Sequence, residues 1–106
     1  MSNNEKEKKD SLSDYDLNFS ELIKTIQSFR TQNELRLFLE DLCTPSELRS
    51  MADRWKVAKM LFEQIPYRSI YDQTGVSTAT ITRVARSISY GSGGYLKAMK
   101  KKKGPQ

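Results

Sequence analysis

The chain has 106 residues, 37% apolar and 29% charged, with a net charge of +5 at pH 7 and no histidine. That length allows one domain with a modest core, and no apolar stretch approaches the roughly 18 residues a membrane helix needs. The opening MSNNEKEKKD has no apolar run of the secretory kind, and the single Cys43 has no partner for a disulfide, so a reducing cytoplasm is the expected compartment. With no histidine to activate it, Cys43 reads as core filler in an apolar helix rather than as a nucleophile. No carboxylate pair, phosphate loop or metal-ligand cluster stands at a recognisable spacing. An enzyme is not expected, nor is a cofactor.

Charge is unevenly placed. Residues 1–48 carry six basic and ten acidic side chains, a balance of −4, whereas residues 49–106 carry twelve and three, a balance of +9. The C-terminal half is therefore expected to meet something anionic, with double-stranded DNA the first candidate. Five of those positive charges, Lys97 and Lys100 to Lys103, lie at the end of the chain; by themselves they are equally consistent with a solvated tail.

In chain order, residues 1–16 are polar and mixed in charge, which predicts a disordered arm. Asn18 is a candidate cap for a helix over 19–29, carrying Phe19, Leu22, Ile23 and Ile26 at helical spacing. Thr31-Gln-Asn-Glu34 is a capping box for a helix over 31–42 with Leu35, Phe38, Leu39 and Leu42 on one face. Thr44-Pro45-Ser46-Glu47 combines N-cap, N1 proline and N3 glutamate. It predicts a third helix over 45–65 with a stripe of Leu48, Met51, Ala52, Trp55, Ala58, Leu61, Phe62 and Ile65, ended by Pro66.

Residues 67–89, YRSIYDQTGVSTATITRVARSIS, predict a helix-turn-helix. Gly75 permits the positive φ of a tight turn, Ser77 caps the second helix, and Ile70, Val76, Ile81 and Val84 occupy the positions where the two helices pack. Thr78, Ala79 and Thr82 are left facing outward at the start of the second helix, with Ser77 and Thr80 beside them and Arg68, Arg83 and Arg86 at the edges. Small side chains let a helix start approach base edges, and threonine or alanine methyls match the thymine methyl. Hydroxyls and free N–H groups suit phosphate oxygens. Gly91 to Gly94 then form a link to a last helix over Tyr95 to about Lys101.

Thr44-Pro45 opening a long helix, Arg54 within it, and Ala79-Thr80-Ile81-Thr82-Arg83 followed by Ser87 resemble the Trp repressor superfamily, and its YerC/YecD subgroup in particular, over about residues 19–90. The resemblance implies an all-α, six-helix fold with a helix-turn-helix in an intertwined homodimer. It implies a helical domain over 17–100, a basic tail over 101–106, and a transcriptional regulator that reads a palindromic operator in the major groove. Ser77, Thr78, Ala79, Thr80 and Thr82 would lie at the operator, with Arg68 near phosphates. The family's small-molecule effector, tryptophan, would meet Arg54 and Arg83 on either side of the indole, Thr44 at its polar end, and Ser87. The position after Arg83 is glycine in the tryptophan-binding members and Val84 here, so tryptophan is not the expected effector. The alternative function is a helical dimeric interaction module without DNA contact.

Overall fold

The computed structural model describes the backbone from Asn3 to Lys103 and side-chain environments from Ser13 to Lys102. Among the described residues there are six α-helices and no strand. They fall into two compact units, divided between Cys43 and Thr44.

The first unit holds α1 (Asn3–Ser28) and α2 (Gln32–Leu42). The expected disordered arm, residues 1–16, is helical from Asn3 onward, and Asn18 lies inside α1 instead of capping it. Residues 3–16 contain no proline or glycine and are rich in Glu and Lys, which propagate a helix well whatever their polarity. Half of the box expected at Thr31 forms, its hydroxyl accepting from the Glu34 N–H at 3.1 Å, while the Glu34 carboxylate does not return a bond to the Thr31 N–H. Cys43 is not inside a helix. It closes α2, half-buried, donating its N–H to the Leu39 carbonyl at 2.9 Å. Phe29 and Phe38 pack ring to ring at 5.2 Å, yet Leu17, Phe19, Ile23, Leu37 and Leu42 stay exposed in the single chain.

The second unit holds α3 (Pro45–Phe62), α4 (Tyr67–Thr74), α5 (Thr78–Tyr90) and α6 (Gly94–Lys103). Both halves of the capping box at the start of α3 are present: Thr44 Oγ1 accepts from the Glu47 N–H, and Glu47 Oε1 accepts from the Thr44 N–H at 2.8 Å. α3 ends at Phe62 rather than at residue 65. Pro66 excludes Ile65 from helical geometry, and the chain turns through Gln64 at φ 62°.

The core of this unit joins Val57, Ala58 and Met60 of α3 to Ile70 of α4 and Ile81 and Val84 of α5. The stripe expected on α3 is thus only partly the one that is buried. Val57 and Met60, outside that stripe, are core residues, whereas Met51 and Ala52 are exposed. α3 is apolar on two sides, and the single chain fills one. α6 is held by Tyr95, whose ring stacks on Trp55 with centroids 6.4 Å apart and planes within 3°.

Candidate nucleic-acid interface

The turn between α4 and α5 is built by three residues with distinct tasks. Gly75 ends α4 at φ 75°, a conformation that costs a residue with a Cβ roughly 1–2 kcal/mol, and its N–H donates to the Tyr71 carbonyl at 2.8 Å. Thr74 spans the turn: its hydroxyl donates to the Ile70 carbonyl at 2.7 Å and accepts from the Val76 N–H at 3.0 Å. Ser77 then caps α5, accepting from the Thr80 N–H at 3.2 Å and donating to Thr80 Oγ1 at 3.1 Å. Below the turn, Ile70, Ile81 and Val84 are almost wholly excluded from solvent and Val76 packs on them. These are the four apolar positions expected to join the two helices, and they fix α5 on α3 and α4.

With Ile81 and Val84 turned inward, the opposite side of α5 is free. Thr78, Ala79 and Thr82 are exposed, as are Ser77 and the arginines Arg68, Arg83 and Arg86. Thr80 is half-buried, drawn toward the cap. Ser77 Oγ lies 3.1 Å from Thr80 Oγ1 and accepts from the Thr80 N–H, so in this geometry it sets the helix start. Ala79, Thr82, Arg83, Arg86, Ser87 and Tyr90, with Gly91, line one shallow depression along α5. Tyr90 is a member that sequence reading missed. Its spacing of three and four residues from Ser87 and Arg86 was the available signal, and at 85% exposure it is the most exposed large apolar residue described.

The residues assigned to an effector by resemblance do not all share that surface. Arg83 and Ser87 do. Thr44 caps α3 and Arg54 is half-buried within it. Val84 is a core residue at 1% exposure. Arg68 stands exposed on the first turn of α4, outside the α5 depression. No group of three or more metal-ligating side chains occurs among the described residues, and no described helix is long and apolar enough to cross a membrane.

Comparison with known proteins gives this arrangement its relatives. The family model for the Trp repressor protein matches residues 17–103. The uncharacterised protein YerC of Bacillus subtilis is 43% identical over 79 residues, covering 74% of this chain and 76% of that protein. The crystal structure of a TrpR-like protein from Eubacterium eligens aligns at a TM-score of 0.76 and 40% identity, over 82% of this chain and 90% of that one. That of a candidate Trp repressor from Staphylococcus aureus aligns at 0.78 and 34% identity, over 82% and 87%. The fold is all-α and Trp-repressor-like, as the sequence pattern anticipated, and the chain belongs to the Trp repressor family, whose members are non-enzymatic, DNA-binding regulators of transcription.

Proposed function

We propose that this protein is a sequence-specific transcriptional repressor that reads a palindromic operator in the major groove through the start of α5, working as a homodimer. The observation that carries the reading is the exposed set Thr78, Ala79 and Thr82 on the side of α5 opposite Ile81 and Val84. The side chains are small, and the helix start brings unpaired N–H groups toward an approaching duplex. Arg68, Arg83 and Arg86 supply the positive surround. An interaction module that had given up DNA would have no use for small polar residues there. Selection of bound fragments from sheared genomic DNA, followed by mobility shifts on the enriched sequences, tests the proposal directly. Recovery of an inverted repeat is the expected result, and absence of any enriched sequence counts against it.

The homodimer rests on apolar surface without a cover. In the single chain Leu17, Phe19, Ile23, Leu37 and Leu42 of the first unit and Met51 of the second are all between 40% and 60% exposed, many large apolar side chains for a small monomer to leave in water. A second copy of the same helices supplies matching faces. An intertwined dimer then carries two copies of α5, one for each half of the operator.

The effector, if one acts through Thr44, Arg54, Arg83 and Ser87, is not tryptophan. Val84 has its side chain in the core with Val57, Ala58 and Ile81. Opening room for an indole beside it would mean displacing packed methyl groups, at about 1–3 kcal/mol or more. Calorimetric titration with L-tryptophan is the check.

A further inference from the structure

Away from the reading face, a depression is lined by Lys56, Lys59, Met60 and Glu63 of α3 and its cap, Ile65, Gln73 of α4 and Lys102 of α6. The three lysines come from opposite ends of the second unit's sequence and are brought together only by folding. Trp55 takes part: α6 packs on α5, Tyr95 of α6 stacks on the Trp55 ring, and the Lys59 ammonium stands 5.8 Å from the centre of the same ring. Docking Tyr95 there lays the lysine-bearing part of α6 beside the lysines of α3. Of the lysines on α6, Lys102 stands on the same side of the helix as Tyr95, whereas Lys97 and Lys100 point the other way.

Like charges gathered in one place repel, so their convergence stabilises nothing unless an anion offsets it. Glu63 is the one carboxylate in the lining, one negative charge against three positive ones, and it is not paired with any of them. The sole ion pair among the described residues is Arg36 with Glu40, so none of the three ammonium groups has a carboxylate of a described residue within 4.0 Å. The patch is open, with Lys56 and Lys102 exposed and Lys59 half-exposed, which suits the phosphates of a duplex backbone better than one small enclosed ion. Gln73 belongs to the first helix of the helix-turn-helix, which places the patch on the same packed unit as α5.

We infer that Lys56, Lys59 and Lys102 form a second phosphate-binding surface, which holds the DNA backbone apart from the bases that α5 reads. This rests on the DNA-binding reading above. The contacts are sequence-independent, and they add to affinity and salt dependence without altering base preference.

The test uses the full chain, sheared genomic duplex DNA and titrations over a series of salt concentrations. Replacing all three lysines (Lys56→Gln, Lys59→Gln, Lys102→Gln) should flatten the slope of log affinity against log salt by about 0.9 for each phosphate no longer neutralised, up to about 2.7 in all. Arginine at the same three positions should keep the slope. Lys102→Gln alone changes one exposed side chain in the last turn of α6 and leaves folding intact, and it should flatten the slope by about 0.9. The inference is overturned if the unmodified protein binds duplex DNA and these variants bind it with the same slope. It is equally overturned if the slope holds while pyrophosphate raises the melting temperature of the unmodified protein but not of the triple glutamine variant, since the site then takes a small anion. Failure of the unmodified protein to bind any duplex would instead remove the DNA-binding reading, and this inference with it.

Discussion

Ser77 and Thr80 are joined twice: the Thr80 N–H donates to Ser77 Oγ at 3.2 Å, and the Ser77 hydroxyl donates to Thr80 Oγ1 at 3.1 Å. The pair sets where α5 begins, and so where the exposed side chains that follow it stand. Ser77→Ala should destabilise the fold by about 1 kcal/mol, the usual worth of a helix cap, visible as a lowered melting temperature. Ser77→Asp separates cap from contact. Aspartate caps as well as serine, so stability should hold, but a negative charge at the start of α5 would face phosphates, and DNA affinity should fall at least tenfold at low salt. Unchanged affinity in Ser77→Asp would move the start of α5 away from the DNA.

Two glycines bound this region for different reasons. A Cβ on Gly75 would meet no atom within 4 Å, so the only objection to Gly75→Ala is its φ of 75°. The expected loss is about 1–2 kcal/mol, and Gly75→Asn should recover part of it because asparagine tolerates that conformation. A Cβ on Gly91, by contrast, would run into the backbone carbonyl of Ser87. Gly91→Ala should therefore disturb the end of α5 more than Gly75→Ala disturbs its start, and Gly91→Asn should recover nothing. Urea unfolding of the four variants measures both.

Base reading and backbone holding should separate by mutation. Arg68→Ala should weaken binding to all sequences alike and flatten the salt slope by about 0.9. Substitution at Ala79 or Thr82 should instead change which base is preferred, by roughly 1–3 kcal/mol at one operator position. Binding measured on a set of single-base operator variants distinguishes the two. Retained preference after changing both Ala79 and Thr82 would mean that α5 does not read the bases.

Val84 is the residue on which the proposed exclusion of tryptophan rests. L-tryptophan should give no heat of binding at submillimolar concentration. Val84→Gly should cost several kcal/mol of stability through the cavity left among Ile70, Ile81 and Val57 and through glycine's poor helix propensity. If the remaining site is intact, that variant should also gain tryptophan binding. Tight binding by the unmodified protein would show that Val84 does not close the site.

The exposed apolar faces of α1, α2 and α3 predict that a folded monomer is not populated. Sedimentation equilibrium at micromolar concentration should give twice the chain mass, and Ile23→Asp or Leu42→Asp should lower both dimerisation and helicity. A stable, helical monomer in the unmodified protein would contradict this.

Much of this molecule is legible in its sequence because the signals are local. The Thr44-to-Glu47 box, the Gly75 turn and the Ser77 cap each follow from residues within one helical turn of one another. Ile70, Val76, Ile81 and Val84 can be picked out as the helix-turn-helix seam because the motif fixes its own spacing. The start of α1 is not legible in the same way: a polar composition argues against burial, not against helix, and Glu- and Lys-rich sequence forms helix without a core to face. The rest needs the folded chain. Periodicity shows that α3 is amphipathic but not which of its two apolar sides meets α5, so it points to Met51 and Ala52 where the core takes Val57 and Met60. That choice belongs to packing against Ile81 and Val84, which lie far along the chain on another helix. The gathering of Lys56, Lys59 and Lys102 is of the same kind. Nothing in the spacing of those residues relates them, and only the packing of α6 onto the rest of the second unit, with Tyr95 stacked on Trp55, brings their charges together.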